Sequence, residues 1–457
     1  MAKMIMQFSF TQPLRWLALA GLMAGTSGCY ENEQARLVDP LSAGTANFSR
    51  YVAVGNSLTA GFSDNGLYRE GQLNSYPAIL ARQFRLVGGG GTFIQPLFTP
   101  EQANGTGYIK LTSLPTTASG GLPVLAQVPP QAIRGLVAGR PLFTKFTGPL
   151  NNLGVPGIRM SDVQTPGYGS AAGNPYFERI LPDNTPLRTY QQFVADNLTG
   201  ATFFSCFMGN NDALGYATSG GATPFTPTPL FTTNFNALIS TLNENGRAGV
   251  VIGIPKVTTA PFFQTVSLTQ VLAGVTAAVR AGNPSAPAVT ALVIQSPLAP
   301  GGIRATKAGD LLLLAQQASY ATIGRSDVGT KIGPYGLSLT NPLANELVLD
   351  AEEVAAVNAK IDEYNTIMKA QADARKLAWV DLNTLTNQLA AGGITQNGVT
   401  FNLNYISGGF ISLDGIHFTQ AGYALLANEI IKSINATYNA SIPLVDATRY
   451  RKVLVQP

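Results

Sequence analysis

The sequence predicts an α/β protein built on a mostly parallel sheet, and three observations carry that expectation. Short continuous apolar runs recur at Tyr51–Val54, Thr202–Met208, Gly249–Ile254 and Leu377–Leu382, the pattern of strands buried on both faces under helices. Helical patterns alternate with them. The clearest begins at Asp350, where Asp350 and Glu353 form a capping box ahead of an apolar stripe of Val354, Val357, Ile361, Tyr364 and Met368. The 457-residue chain is 45% hydrophobic but only 12% charged, with 48 Gly and 29 Pro. Such a chain can bury one large core and favours long ordered loops over surface helices.

Taken in order, the chain opens with Lys3 and Arg15, an apolar run from Trp16 to Met23, and small residues up to Gly28 and Cys29. This reads as an export signal, because the run is shorter than the roughly 20 residues that a membrane-spanning helix needs. Thr26-Ser27-Gly28 before Cys29 resembles a bacterial lipoprotein signal, with Thr26 where leucine is usual. That resemblance implies a lipid-modified Cys29 as the first mature residue and a place in the bacterial cell envelope, at the outer membrane. A plain secretory signal with an incidental cysteine is the competing reading. Residues 1–28 are accordingly expected to be a signal peptide and 29–47 a polar tether. Residues 48–440 would form one domain with insertions at about 86–150 and 264–345, leaving 441–457 as a C-terminal extension.

Cys206 is the only other cysteine, so a lipidated Cys29 leaves no intramolecular disulfide. In a buried strand Cys206 reads as a small hydrophobe. A net charge of +4 without a Lys/Arg cluster argues against nucleic acid as a partner. One histidine and one free cysteine are too few for an ordinary zinc site, while an all-oxygen calcium site stays open. No cofactor is indicated.

The first strand ends in Gly55-Asn56-Ser57-Leu58-Thr59-Ala60-Gly61, a tight turn that sets Ser57 at a strand's carboxyl end with backbone N–H groups nearby. The glycines do not fit G-x-G-x-x-G, and no Gly-Lys-Ser/Thr follows, which argues against phosphate binding. A short helix is expected over Ser75–Phe84, then a mostly ordered excursion through Gly88–Gly91 and a Gly/Pro/Thr-rich stretch to Pro149 that borders the site, with a disordered linker as the alternative. Asn151-Asn152-Leu153-Gly154-Val155-Pro156-Gly157 reads as another strand end, with Gly154 able to bring an N–H close to a ligand. After the run at 202–208, Gly209-Asn210-Asn211-Asp212 places Asn211 to offer a side-chain N–H to an oxyanion and Asp212 to cap the next element. A plain Asx turn is the alternative there. Helices follow over Asn234–Asn245 and Ser267–Ala281, then a Pro/Gly-rich region to Asn345 without assignable elements apart from the apolar run Leu311–Leu314. A Gly/Asn-rich hairpin-like stretch precedes Asp414, and Thr419 caps a final helix through about Asn435 that packs Leu425, Ile430 and Ile434 inward.

The single histidine of the chain, His417, lies three residues after Asp414. Any imidazole-dependent acid/base chemistry must therefore use it. In an Asp-x-x-His turn the carboxylate can fix one ring nitrogen and leave the other free to take a proton from a nucleophile. Ser57, Gly154, Asn211 and the Asp414/His417 pair together form an inventory for acyl transfer. Their order resembles the SGNH hydrolase superfamily, the GDSL esterases and lipases, with Gly209-Asn210-Asn211-Asp212 matching G-x-N-D and Gly55-Asn56-Ser57-Leu58 matching Gly-Asp-Ser-Leu except at Asn56. The resemblance implies a doubly wound, flavodoxin-like, five-stranded sheet. It also implies Ser57 as nucleophile with Asp414 and His417 completing a triad, an oxyanion hole from Ser57, Gly154 and Asn211, and no metal. The expected activity is hydrolysis of a small-molecule, glycan or lipid ester through an acyl-enzyme. The alternative is a catalytically silent surface lipoprotein of the same fold that binds glycan, lipid or a protein partner.

Overall fold

The computed structural model describes residues 40–114 and 123–453. The expectations for the export signal and for Cys29 lie outside the described residues. Four parallel strands make the central sheet: β1 (Tyr51–Gly55), β2 (Phe203–Phe207), β3 (Ala248–Ile252) and β4 (Ala378–Val380), in that spatial order. Residues 151–155 run along the free edge of β1. There Ala53 N–H donates to Asn151 O at 2.7 Å, Leu153 N–H to Ala53 O at 2.8 Å and Val155 N–H to Gly55 O at 2.9 Å. This edge segment takes the place of the expected fifth strand, yet it forms only a single β-bridge, Asn152 to Ala53. Counting it gives the order 2-1-3-4-5, whose switch point falls between β1 and β2.

The continuous apolar runs are explained by the pleat, which sends successive side chains to opposite faces. Val52, Val54, Phe204 and Cys206 enter one core with helices α3 (Tyr190–Asn197), α5 (Thr228–Leu242) and α7 (Ala351–Ala374). Tyr51, Ala53, Phe203 and Phe207 enter the other, with α2 (Tyr76–Leu86), α8 (Leu382–Ala391) and α9 (Gln420–Tyr438). Both faces are covered, so the strands are almost wholly apolar, and the buried hydroxyl of Ser205 in β2 is paired with Tyr51 O–H at 2.7 Å. Cys206 is fully buried, and burial pushes its thiol up to about 12.

The capping box is present: Asp350 accepts from Glu353 N–H at 2.8 Å and Glu353 from Asp350 N–H at 3.0 Å. Thr419 likewise accepts from Gly422 N–H at 2.9 Å, and α9 continues to Tyr438, three residues beyond expectation, where Asn439 adopts a left-handed conformation. Helix α5 begins at Thr228, well before Asn234, with Pro in its first turn. Strand β4 stops at Val380, because Asp381 caps α8 and Leu382 already belongs to it.

The first excursion carries two antiparallel hairpins, Tyr108–Ser113 with Val124–Val128 and Ile133–Val137 with Arg140–Phe143. The second contains α6 (Leu268–Gly282) and the pair Val293–Gln295 with Ile303–Ala305, and its Leu311–Leu312 pairs with Val348–Leu349. It has its own small core around Val275, Leu292, Ile294, Leu312 and Leu343.

Residues 42–47, expected to belong to a tether, are held on the domain. Ser441 N–H donates to Ser42 O at 2.9 Å, Thr45 N–H to Tyr438 O at 2.8 Å, and the Phe48 ring stacks on Phe84 with centroids 4.2 Å apart. Residues 42–47 thus lie on the domain. The expected C-terminal extension also packs against it through buried Ile442 and Ala447 and paired bonds between Asn428 and Val445 at 2.8 and 2.9 Å.

Candidate active site

The site forms at the carboxyl ends of β1 and β2, at the switch point. Gly55 lets β1 turn at once into the single-turn helix α1 (Ser57–Ala60): a Cβ there would lie 2.0 Å from Thr59 Oγ1 and 2.6 Å from Phe207 O. Asn56 caps α1, accepting from Leu58 N–H at 3.0 Å and donating from Nδ2 to Asn210 Oδ1 at 3.0 Å. An amide can do both, whereas a carboxylate at this position could not donate. Asn56 therefore ties the first motif directly to the third.

Ser57, first residue of α1, places Oγ 2.9 Å from His417 Nε2, and His417 Nδ1 lies 2.9 Å from Asp414 Oδ2. Asp414 Oδ1 accepts from Ile416 N–H at 2.9 Å and His417 N–H at 2.8 Å, while Oδ2 also accepts from Asn65 N–H at 2.9 Å. Burial by itself would push the Asp414 carboxyl up. The His417 ring beside it and these N–H donors outweigh burial and hold it well below the usual carboxylate range. An ionised Asp414 can only accept, so Nδ1 carries the proton in the neutral ring and Nε2 faces the Ser57 hydroxyl as an acceptor.

A second aspartate, not singled out in the sequence, supports this loop. Asp64 and Asn65 are both left-handed (φ 52° and 60°), between Ser63 and Gly66, which exchange backbone bonds of 3.0 and 2.9 Å. That is the geometry of a type I′ turn, with Asp and Asn, which tolerate the left-handed conformation, at its two central positions. From it, Asp64 Oδ1 accepts from Leu413 N–H at 3.1 Å, Asp64 N–H donates to Ser412 Oγ at 3.0 Å, and Asn65 reaches Asp414 as described. Tyr68 O–H donates to Asp64 Oδ2 at 2.7 Å, and the Arg451 guanidinium lies 3.7 Å from the same oxygen. Burial raises the Asp64 carboxyl and Arg451 opposes that rise. Phe62, one residue before this turn, sets its ring 4.6 Å from the imidazole centroid.

Asn211 is in the first turn of α4 (Asn210–Thr218) and donates from Nδ2 to Ile158 O at 2.9 Å. Its second amide hydrogen is available. The side chain lines the same cavity as Ser57 and His417. Asp212 is not the cap expected, since Gly209 holds that position. Its buried carboxylate accepts from Met160 N–H at 2.9 and 3.0 Å, fixing the 158–160 segment, and burial pushes it up to about 6.

Gly154 is the one predicted site residue that the structure removes from the site. It is buried, its N–H donates to Asn152 Oδ1 at 3.0 Å, and a Cβ would lie 2.4 Å from Ala60 N. It is glycine because the edge segment packs directly on α1. Three residues later, Gly157 is exposed and left-handed (φ 84°), and its N–H has no acceptor among the described residues. It adjoins Ile158, the residue bonded by Asn211. The Pro156-Gly157 turn dipeptide was the available signal.

A doubly wound sheet with serine, histidine and aspartate joined by hydrogen bonds at its carboxyl edge defines a protein of the hydrolase class. The GDSL-like lipase/acylhydrolase family model matches residues 51–430, and the chain belongs to that family of ester-hydrolysing enzymes. Among curated proteins none matches the sequence. Among solved structures, an α/β hydrolase enzyme, LAE5, from the metagenome of Lake Arreo, Spain, is similar at 11% identity and a TM-score of 0.35, covering 86% of this chain and 97% of that one. An extracellular lipase from Streptomyces rimosus is similar at 14% identity and a TM-score of 0.30, covering 85% of this chain and 99% of that one.

Proposed function

We propose that this protein is a serine esterase that works through an acyl-enzyme, with Ser57, His417 and Asp414 as its triad. The observation that carries the reading is the continuous chain from Ser57 Oγ to His417 Nε2 and from His417 Nδ1 to Asp414, each step 2.9 Å. His417 takes the hydroxyl proton as Ser57 Oγ bonds to the acyl carbon, then delivers that proton to the departing alcohol oxygen. Water repeats the sequence on the acyl-enzyme. Asp414, kept ionised, stabilises the imidazolium formed in each half. The developing oxyanion is held by the Ser57 N–H, the free Asn211 amide hydrogen and the Gly157 N–H, which replaces Gly154 in that role.

Ser57→Ala is expected to abolish ester hydrolysis and labelling by a small alkyl fluorophosphonate while the melting temperature stays within a few degrees. Retained turnover in that variant would assign the nucleophile elsewhere, whereas a wild type that neither hydrolyses esters nor labels would be a silent binding protein.

We further infer that Cys29 is lipidated and that the protein is an envelope lipoprotein whose substrate meets it at a membrane. The support is the signal-like segment ending in Thr26-Ser27-Gly28-Cys29.

A further inference from the structure

Two compartments meet at His417, and their sizes and contacts differ. The first touches Ser57, Asn211 and His417 and has a volume of about 60 Å³, with walls that include Leu214, Val257, Ala260, Phe410 and Ile416. The second touches His417 and Asp414 but not Ser57, and has a volume of about 380 Å³. It is lined by Ile109 and Leu125 of the first excursion, Leu314 and Gln317 of the second, and Phe262 and Tyr405.

We infer that the enzyme acts on short-chain acyl esters of large alcohols, with the acyl chain in the small compartment and the alcohol in the broad groove. The inference rests on the esterase reading above and follows from where the atoms must go. In the acylation step the bond from Ser57 Oγ to the acyl carbon forms and the bond from that carbon to the alcohol oxygen breaks. The proton taken by His417 Nε2 ends on that oxygen. The alcohol must therefore lie against His417, and the acyl group against Ser57 and Asn211. The small compartment touches Ser57, Asn211 and His417, and the groove leads on from His417 away from Ser57, so the acyl chain is assigned to the first and the alcohol to the second.

Size then sets the class. With about 60 Å³ against about 380 Å³ for the groove, the acyl compartment is the tighter of the two and favours a short acyl chain. The groove holds several times more, enough for a fused aromatic alcohol or a sugar unit. Leu214 lies one turn after Asn211 on α4 and so shares its face. This leucine is part of the wall of the acyl compartment beside the oxyanion donor.

The test uses the purified full chain. Hydrolysis rates are measured for esters of one chromogenic alcohol with straight acyl chains of two to twelve carbons, and for acetyl esters of alkyl alcohols of similar leaving ability: ethanol, 2-(2-naphthyl)ethanol and the primary hydroxyl of a disaccharide. Each methylene that fits should raise kcat/KM by about fourfold, so the optimum is expected between two and six carbons, with a tenfold or greater loss by ten. Leu214→Ala should move the optimum two or more carbons longer. Among the acetyl esters, a large alcohol should exceed ethanol by at least tenfold, and Ala315→Trp, which narrows the groove, should cut that ratio several-fold. A wild-type optimum at eight or more carbons, an unmoved optimum in Leu214→Ala, or no preference for a large alcohol would each overturn the assignment. Fluorophosphonate labelling separates the failures: labelling with a long-chain optimum overturns this inference alone, whereas no labelling and no turnover overturns the esterase reading with it.

Discussion

At Asn211 one amide hydrogen is committed to Ile158 O at 2.9 Å, so the side chain is already oriented before substrate arrives. Preorganised donors of this kind act on the transition state more than on the bound substrate. Asn211→Ala is therefore expected to lower kcat by roughly 100- to 1,000-fold with KM nearly unchanged, measured on a good substrate of the wild type. A loss confined to KM would make Asn211 a substrate-binding residue instead. The glycines show where residue-scale reading stopped: the sequence places Gly154 and Gly157 at one strand end but does not say where either N–H points. Gly154 is spent on Asn152 Oδ1 and on close packing against α1. By contrast, His417 was legible because it has no rival in the chain, and Asp414 because a carboxylate three residues before a histidine can reach its ring within one turn.

At the scale of elements, the parallel strands were legible because burial on both faces leaves almost no polar position, and α7 because its capping box and stripe agree. Helix α3 was not read, although Thr189 and Gln192 form a reciprocal capping box at its start, since it is only eight residues long. The hairpins of the first excursion were hidden for another reason. Apart from buried Leu111, Leu142 and Phe143, their strands are exposed or half-exposed, and they are bulged at Leu111/Ser113 and Ile133/Gly135, so neither alternation nor a continuous apolar run survives. The 63–66 turn has the most consequence for chemistry. Through Asp64 and Asn65 it contributes three of the bonds that hold the Ser412–Asp414 segment, which makes Asp64 a positioning residue. Asp64→Ala should lower kcat by roughly ten- to a hundredfold, as expected for a misplacement of the base by a fraction of an ångström to an ångström. KM should change little, and Asp64→Asn should restore most of the rate by keeping an acceptor for Leu413 N–H. A parallel collapse of melting temperature and rate in both variants would reduce Asp64 to a stability role.

At the scale of the whole molecule, the length beyond a minimal sheet goes into the two excursions, and side chains from both line the broad groove beside His417. Large alcohols on a cell surface or in a bilayer are bulky and slow to diffuse, so holding the enzyme near them raises the encounter rate without changing the site. That is the physical case for the anchor. If Cys29 carries lipid, the anchor and the domain are separated by at most the twelve steps from Cys29 to Leu41 (41 minus 29), because Ser42 and Thr45 are bonded to Ser441 and Tyr438; a chain of that length reaches about 40 Å at most. Stable retention by acyl chains needs more than one, as a multiply acylated cysteine would provide. In the native host, wild-type protein is expected to fractionate with membranes, and Cys29→Ser to be released or retained unprocessed, with an equal turnover number on a soluble ester because Cys29 has no part in the proposed chemistry. On a membrane-embedded ester the released form should be slower by tenfold or more at equal enzyme concentration. Equal solubility of the two forms would remove the anchor. Equal partitioning with equal rates on both substrates would show instead that the domain finds its membrane without one.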